Sequence, residues 1–413
     1  MKKLIFLCVW LFSILVTILF TFENTETIEA LKGKLKIYKT FSKIDDSEID
    51  NNKTLFTSNH FSIEINKIVE VNDKTAFLLN NSTHKNFNTN NIEIFTQRGF
   101  KLLKNNNIPL LFNKNFTQDF NGGLKSVFFV NKKPYGLISS LDGDCYYASI
   151  VDLSNKNELF KTVCLKLEEG SSIDFNGIGG ASIHINDEIL ISLGTPTSDS
   201  KLINELAQNS NSFIGKTIKI KNIEFNKKNI NPEIYSLGHR NPQGITKLNN
   251  LIFAVEHGPF GGDELNLIKY KYNYGWPKVS YGTRYGYDNN GESYLLSHEK
   301  KGFEEPLFAF VPSVGISSLN VCPSKLTNYY KKNCLMATSL YGNALRPGKS
   351  LIIFLLDDSF KKVNSIEKIN LDIPLRHFMT NEKNELYEDE NGNIYISSDF
   401  NGIYRVNFNN FAR

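Results

Sequence analysis

Short apolar runs separated by turn residues recur along this 413-residue chain from about Leu55 onward. Asparagine, aspartate, glycine and lysine interrupt the runs, and dipeptides such as Asn391-Gly392 are typical of tight hairpins. The aromatic content of 12% also favours strands over helices. Examples of the predicted strands are TAFLL (75–79), SVFFV (126–130), YGLISS (135–140), EILISL (188–193), LIFAVE (251–256), SLIIFLL (350–356) and NIYISS (393–398).

So many short strands are compatible with two β-sandwiches or with one β-propeller. At roughly 60 residues per four-stranded blade, a propeller needs six blades to include the chain from residue 44 onward. No composition break or Pro/Ser-rich linker divides the chain. We therefore predict an all-β fold, a six-bladed β-propeller over residues 44–413, with short helices at Ser200–Gln208 and near Pro323–Tyr330.

The N-terminus carries 19 uncharged residues, Leu4–Phe22, directly after Lys2 and Lys3. At ~1.5 Å per residue, a helix of this length nearly spans a ~30 Å hydrocarbon core. No small-residue cleavage site follows Phe22, so we expect an uncleaved signal anchor at residues 1–22, followed by a spacer at 23–43. The lysines then lie on the cytoplasmic side, and the propeller of this single-pass inner-membrane protein faces the periplasm. A cleaved signal peptide is the alternative, and both alternatives export the propeller.

Four cysteines outside the anchor form two close pairs, Cys145/Cys164 and Cys322/Cys334. Exported chains tolerate disulfides, so each pair is either a disulfide or two buried thiols. No Cys/His set has zinc spacing. The net charge is +4, and no Lys/Arg cluster interleaved with aromatic residues stands out. These features predict no nucleic-acid partner.

The region Leu251–Ile268 combines a strand with a glycine-rich loop. Gly258-Pro259 ends the strand, and Gly261-Gly262 allows backbone angles that are closed to other residues. Such a loop can direct carbonyl oxygens at one point, and Asp263-Glu264 adds carboxylates. Carbonyl and carboxylate oxygens are the ligands of calcium, so the loop predicts a calcium-type site. The alternative is a tight connection between strands.

Arg240 and Asn241 precede this region in the stretch LGHRNPQGI. A guanidinium is suited to bind a carboxylate or a quinone oxygen through paired donors, and an amide can both donate and accept. The alternative is a hydrogen-bonded pair that only closes a blade.

Three linked motifs, GHRNPQG, EHGPFGGDELN and NYGWP, lie within residues 238–277. They resemble the signature of the quinoprotein sugar dehydrogenases, the glucose/sorbosone dehydrogenase family. Weaker similarity extends from Gly122 to Val406. The resemblance implies a six-bladed propeller with pyrroloquinoline quinone (PQQ) and calcium on its axial face. It also implies oxidation of the anomeric hydroxyl of an aldose, a small-molecule sugar. Hydride is transferred to PQQ while a histidine takes the hydroxyl proton. The sequence does not identify the protein or molecule that accepts the electrons from PQQ.

The resemblance also implies two groups of site residues. The residues expected to bind PQQ are Arg240, Asn241, Tyr285, Arg376 and Asn121. The residues expected to bind calcium are Gly258 and Pro259, through their carbonyls at the active-site ion, and Glu264 and Tyr274 at a second, structural ion.

Several positions depart from the family pattern. The family's catalytic histidine precedes a Gly-Gly pair, but the matching stretch FNGIGG, residues 175–180, contains none; His184 follows it. Tyr341 stands where the family has a PQQ-binding lysine, Asn121 replaces a glutamine, and Arg376 alone remains of an R-x-R pair. Because a general base is typically worth ~10²–10⁴ in rate, the first departure bears directly on activity.

These observations leave more than one hypothesis open. The first is a PQQ-dependent aldose dehydrogenase. The second is a catalytically silent propeller that keeps the calcium loop and binds a carbohydrate or a protein. A calcium-dependent hydrolase or lactonase is a weaker third, because acidic ligands from several blades are not evident in the sequence.

Overall fold

The computed structural model describes residues 53–58, 60–71, 73, 75–80, 92–103, 106–110, 114–167, 171–198, 200–259, 261–283, 298–341 and 348–412. The predicted anchor and spacer lie outside these ranges, as does the predicted start of the propeller at residue 44. Within the ranges, no helix has both the length and the apolar character needed to cross a membrane.

The described strands form six sheets of four or five strands each, which we call blades. The strands β1 (Lys53–Thr57) and β2 (Ser62–Val69) are the first described strands, and they join the last blade. Blade 1 consists of β3 (Thr75–Asn80), β4 (Ile92–Thr96), β5 (Phe100–Leu103) and β6 (Asn106–Pro109), and blade 2 of β7 (Leu124–Val130), β8 (Lys133–Asp142), β9 (Cys145–Asp152) and β10 (Glu158–Lys161). Blade 3 consists of β12 (Gly179–Ile185), β13 (Glu188–Leu193), β15 (Lys216–Lys221) and β16 (Glu233–Leu237). A two-stranded ribbon of β11 (Ile173–Asp174) and β14 (Thr197–Ser198) accompanies blade 3.

Blades 4 to 6 follow in the same way. Blade 4 consists of β17 (Pro242–Leu248), β18 (Leu251–Glu256), β19 (Asp263–Ile268) and β20 (Phe308–Phe310). Blade 5 consists of β21 (Ile316–Val321), β22 (Cys334–Ser339), β23 (Ser350–Leu356) and β24 (Val363–Asn370). Blade 6 consists of β25 (Leu375–Phe378), β26 (Ile394–Ser398) and β27 (Gly402–Asn409) together with β1 and β2. The α-helices are α1 (Lys201–Glu205) and α2 (Ser324–Tyr330), and the 3₁₀ helices are Asp119–Asn121, Phe175–Ile178, Leu206–Gln208, Asn222–Asn226 and Glu299–Lys301.

The six blades close into a ring. The first strand of each blade, β3, β7, β12, β17, β21 and β25, contacts the first strand of the next blade, and β25 contacts β3. Both ends of the described chain meet in blade 6, where β2 pairs antiparallel with β27 from Ser62↔Asn409 onward. The fold is therefore the predicted all-β propeller with six blades.

Apolar residues pack between neighbouring blades. One core cluster joins blades 2 and 3, where Phe128 and Ile150 pack with Ile189 and Ile218. The strand β23 is buried along its whole length because it lies inside blade 5 and between its neighbours. All seven apolar runs named above lie on strands, so that prediction is confirmed.

Both predicted helices are also present. Ser200 caps α1, and its Oγ accepts a hydrogen bond from the Ile203 amide at 3.3 Å. Both cysteine pairs are disulfides, with Cα–Cα distances of 5.2 Å for Cys145–Cys164 and 5.4 Å for Cys322–Cys334. Each disulfide connects segments of a single blade.

Lys216 braces blade 3 from the inside. Its side chain is fully buried in β15, and Nζ donates to the carbonyls of Leu206, Ala207 and Ile214 at 2.8–2.9 Å. Burial lowers the Lys216 pKa to about 7. Three carbonyl acceptors match the three hydrogens of an ammonium group, so this lysine ties a helix and a turn to the blade.

Candidate active site

A cavity of about 630 Å³ lies at one end of the ring, on the propeller axis. All six blades contribute residues to its wall, mostly from the first strands or the turns beside them. The polar and charged side chains of the wall are Gln97, Lys125, Ser126, Asp174, Asn176, Ser182, Thr197, Arg240, Asn241, Gln243, His257, Ser318, Asn320, Tyr341, Arg376, His377, Thr380, Asn384 and Asp399.

Arg240 and Asn241 both line this cavity, immediately before β17. Arg240 Nη1 donates to the carbonyls of His257 and Gly258, at 3.0 and 2.7 Å. Its guanidinium lies over the Trp276 ring, 5.3 Å from the centroid. Asn241 Oδ1 accepts from Gln243 Nε2 at 2.6 Å. The structure therefore brings both predicted residues to the candidate site.

A buried acid–histidine pair fixes the backbone behind Arg240. Glu256 Oε2 accepts from the Arg240 amide at 2.9 Å, and Oε1 accepts from His239 Nδ1 at 3.2 Å. Burial alone would raise the Glu256 pKa, but His239, the Arg240 amide and Asn266 together hold it below its usual value. His239 itself is fully buried and stacks on Tyr274, so it is a positioning residue.

The glycine-rich loop lies beside Arg240. Gly258 leaves no room for a side chain, since an added Cβ would lie 2.2 Å from the Gly262 carbonyl oxygen. Pro259 is buried and packs against Gly282. A Cβ added to Gly282 would lie 2.9 Å from Pro259 Cγ. The Gly258 carbonyl, which the resemblance assigns to calcium, accepts a hydrogen bond from the Arg240 guanidinium.

Backbone amides donate to both carboxylate oxygens of Asp263, which the sequence suggested as an oxygen ligand. Its Oδ2 accepts from the amides of Val314, Gly315 and Ile316 at 2.7–3.1 Å. Its Oδ1 accepts from the Gly258 amide at 3.2 Å. Four backbone donors use both oxygens, so Asp263 ties the loop of blade 4 to the entry of blade 5.

Glu264 and Tyr274 line a second, much smaller cavity of about 10 Å³ beneath the loop. The Glu264 carboxyl accepts from Asn266 Nδ2 at 3.1 Å, and burial and the nearby Glu256 carboxylate raise its pKa well above the usual value. The Tyr274 hydroxyl donates to the Leu267 carbonyl at 2.6 Å and accepts from the Lys269 amide. No group of three or more His, Cys, Asp or Glu side chains with metal-binding geometry occurs among the described residues.

The remaining predicted residues are placed differently. The Asn121 side chain is exposed, and the residue borders an adjoining hollow of about 250 Å³ rather than the main cavity. Its backbone carbonyl accepts from Gln97 Nε2 at 2.8 Å. Arg376 lines the cavity, but its Nε lies 3.0 Å from both carboxylate oxygens of Asp399, and Nη2 also donates to Oδ2. Tyr285 lies outside the described residues.

The stretch before Gly179-Gly180 contributes no histidine to the cavity. At Gly177 an added Cβ would lie 2.3 Å from the Thr195 carbonyl oxygen, so this backbone accepts no larger residue. His184 lies further along β12, outside the cavity wall, and its Nε2 donates to the Phe129 carbonyl at 2.7 Å. It therefore does not replace the missing base.

Two histidines of other blades line the cavity. Burial lowers the pKa of His257, and its Nε2 is buried without a hydrogen-bond partner among the described residues. Burial and the Arg376 charge lower the His377 pKa to about 3. Both rings are therefore neutral at pH 7. The sequence had singled out His257 only as part of the motif, and His377 only as a departure from it.

Gln97 and Lys125 were not predicted as site residues. They lie on blades 1 and 2, more than a hundred residues before the central motifs, and reach the cavity because the ring closes. The six blades and the axial cavity define the class: a six-bladed β-propeller with a polar cavity on its axis.

A sequence model of the family described as "Glucose / Sorbosone dehydrogenase" matches residues 149–398, which is more than half of the chain. The chain belongs to this family, as the resemblance predicted. The structure is similar to that of the soluble aldose sugar dehydrogenase from Escherichia coli in the apo form, with a TM-score of 0.62 and 19% identity over 84% of this chain and 99% of that one. A PQQ-bound aldose sugar dehydrogenase from Streptomyces coelicolor has a TM-score of 0.51 and 14% identity, with coverage of 84% and 98%.

Sequence similarity to curated proteins covers shorter segments. An uncharacterized protein of Synechocystis sp. is 32% identical over 151 residues, which is 33% of this chain and 36% of that protein. The aldose sugar dehydrogenase YliI of Escherichia coli is 36% identical over 93 residues, 21% of this chain and 24% of that protein. These alignments span little more than a third of the relatives' lengths at most, so they support the family and leave the activity to be tested.

Proposed function

We propose that the chain is a quinoprotein that binds PQQ in the axial cavity and oxidises a sugar hydroxyl. The supporting observation is the cavity itself: an axial space of about 630 Å³, within the range of cofactor sites, with Arg240 in its wall beside the family's glycine-rich loop. The membrane anchor and the periplasmic location remain predictions that accompany this proposal.

The residues of the wall fit a planar, polyanionic cofactor. Among the described residues, three cations and two carboxylates line the cavity: Lys125, Arg240, Arg376, Asp174 and Asp399. The net positive charge suits a tricarboxylate. Side-chain amides from several blades and the buried His257 Nε2 add hydrogen-bonding groups that a ligand can use.

Arg240 is the residue expected to contact the cofactor most directly, and the hydrogen-bonded Asn241 and Gln243 line the cavity beside it. When bound, PQQ supplies the quinone that accepts hydride from the sugar. The sugar's hydroxyl proton needs an acceptor, and the two cavity histidines are weaker bases than an ordinary imidazole because burial lowers their pKa. We therefore expect cofactor binding with slow turnover.

The decisive experiment is reconstitution of the purified full chain with PQQ. Binding would be followed by titration of the cofactor's absorbance, and activity by dye reduction across a panel of aldoses. We expect binding at micromolar PQQ and slow oxidation of at least one aldose. Absence of binding at micromolar cofactor would contradict the proposal.

A silent ligand-binding propeller is the second candidate, and one observation favours it. No histidine stands before Gly179-Gly180, where the family has its base. PQQ or sugar binding without dye reduction under any condition tested would support this alternative over the enzyme.

Calcium remains a prediction, and the fit of its expected ligands is incomplete. Arg240 Nη1 donates to the Gly258 carbonyl, so an ion at that carbonyl would share the oxygen with a positively charged guanidinium. The cavity beside Glu264 is about 10 Å³, the space of one water-sized sphere. We therefore derive no catalytic step from calcium.

We expect calcium to stabilise the protein through Glu264. An ion at ~100 times its dissociation constant adds about 2.7 kcal/mol to the free energy of unfolding, which raises the melting temperature by a few degrees. Thermal melts with Ca²⁺, with EGTA and with Mg²⁺ would measure the effect, and Glu264→Gln should remove it. A melting temperature that does not respond to Ca²⁺ would rule out this site.

A further inference from the structure

The adjoining hollow of about 250 Å³, which we call the side hollow, lies between turns of blades 6, 1 and 2. Gln97 and Phe400 line both the side hollow and the main cavity, so these two residues form the boundary between the spaces. The other residues of its wall are Asp73, Arg98, Gln118, Asn121 and Gly122. Its volume is just below the ~300–1,000 Å³ typical of small-molecule sites, so it has room for one part of a ligand whose remainder lies in the main cavity.

Phe400 reaches this boundary on a strained backbone. It lies in the turn between β26 and β27 with a φ of 56°, in the left-handed region that glycine and asparagine adopt most readily. Its side chain is 54% exposed and belongs to none of the hydrophobic core clusters of the described chain. The strain lowers stability and the ring gains little from burial, a combination typical of binding positions.

Neighbouring contacts hold this turn in place. The Phe400 amide donates to the Asp73 carbonyl at 3.1 Å, which connects blade 6 to the chain before blade 1. The preceding residue, Asp399, accepts from Arg376 Nε at 3.0 Å in the main cavity. The phenyl ring is therefore presented at a fixed point between the two spaces.

The polar groups of the side hollow suit a neutral ligand that carries hydroxyls. Its charged side chains are one of each sign, and Arg98 Nε lies 3.3 Å from Asp73 Oδ1. Gln118 and Asn121 are both exposed, and each side-chain amide can donate and accept. This wall has no excess of cations, whereas the wall of the main cavity has three cations and two carboxylates.

An exposed phenyl face beside amides is a combination that binds a sugar ring. The faces of a sugar ring present C–H hydrogens with partial positive charge, and the face of an aromatic ring is negative. The hydroxyls at the edge of the sugar both donate and accept, so they pair with amides and with carboxylates. Phe400 and the polar side chains of the side hollow together offer both kinds of contact.

We propose that the side hollow is a subsite for a second sugar unit, so that the substrate class of this chain is a disaccharide or a longer oligosaccharide. The aldose end then lies in the main cavity, and the adjacent unit lies against the face of Phe400. The inference rests on the proposed function, since it names the substrate class of the same site.

The test is calorimetric titration of the full chain, with and without PQQ, using glucose, maltose and cellobiose as probes. We expect at least one disaccharide to bind roughly 10-fold more tightly than glucose, the value of an aromatic contact and a hydrogen bond together. Phe400→Asn should weaken the binding of that disaccharide by about 3- to 10-fold and leave glucose binding unchanged. Its melting temperature should not fall, because asparagine suits the left-handed backbone.

Three further variants complete the comparison. Tyr272→Ala removes an aromatic ring that is 48% exposed and lines neither space, so it should bind all three sugars like wild type. Phe400→Tyr keeps the aromatic face and should keep the disaccharide preference. Phe400→Gly removes the ring with the residue best suited to a left-handed φ, and it replaces the asparagine variant if that variant does not fold.

The outcomes separate the subsite from the proposed function. Equal affinity for glucose and both disaccharides would overturn the inference, as would wild-type disaccharide binding by Phe400→Asn. A loss of PQQ affinity in Phe400→Asn would place the cofactor rather than a sugar in the side hollow, and would also overturn it. In each of these cases PQQ binding by wild type leaves the proposed function standing, whereas no PQQ binding by wild type would overturn both.

Discussion

Replacing Asp263 by asparagine is expected to lower the free energy of unfolding by about 4 kcal/mol, because several charge-assisted hydrogen bonds worth ~1.5–3 kcal/mol each are weakened together. An asparagine keeps one acceptor oxygen for the amides of residues 314–316. Its amide nitrogen would then face the Gly258 amide, where two donors oppose each other. The substitution therefore removes the charge and one bond from a fully buried position.

Thermal and denaturant unfolding would measure this effect. For a chain of this size, ~4 kcal/mol corresponds to a fall in melting temperature of about 5 °C. Asp358→Asn, an exposed residue in the turn after β23, makes the same chemical change and should leave the melting temperature within about 1 °C. Equal stability of Asp263→Asn and wild type would contradict the structural role assigned to this carboxylate.

The position of Asp263 illustrates which features a single sequence reveals. Carboxylates beside a glycine-rich loop are compatible with a metal site, and the sequence was interpreted in that way. The donors that Asp263 binds lie about fifty residues further along the chain, at Val314 to Ile316, and only the packing of blade 5 against blade 4 brings them together. Local composition could not distinguish a metal ligand from a clamp between blades.

The fold itself was accessible from the sequence because its signals are local. Apolar runs and turn dipeptides indicated the short strands, and chain length and the family resemblance indicated six blades. Arg240, Asn241, Gly258 and Glu264 lie near one another around the first strands of blade 4, and their roles as ligands remain predictions. Motifs that lie within one supersecondary unit keep their geometry when the rest of the chain diverges.

Residues from distant blades were missed or misassigned. Gln97 and Lys125 carry no local motif and reach the cavity only through ring closure. Asn121 was expected to act through its side chain, but its left-handed backbone leaves that side chain exposed and uses the carbonyl instead. The pairing of Arg376 with Asp399 and the burial of Lys216 likewise depend on contacts that no spacing in the sequence encodes.

The second large effect is expected at Arg240, where Arg240→Met should weaken PQQ binding by at least about 100-fold. A guanidinium that meets an anionic ligand through two charge-assisted hydrogen bonds contributes ~3 kcal/mol or more, and each 1.4 kcal/mol is tenfold in affinity. Arg240→Lys keeps the charge but loses the planar pair of donors, so its affinity should lie between those of wild type and Arg240→Met.

Arg240 also contributes to the fold, and the experiment has to separate the two roles. Nη1 satisfies the carbonyls of His257 and Gly258, so Arg240→Met should also lower the melting temperature by a few degrees. Titrations well below the melting temperature measure the PQQ affinity of folded protein. Glu264→Gln serves as the control variant in the same blade, because Glu264 lines the small cavity behind the loop and not the main cavity. If Arg240→Met binds PQQ like wild type while folded, the ligand does not contact this guanidinium, and the cavity's anion would have to be held from the other blades alone.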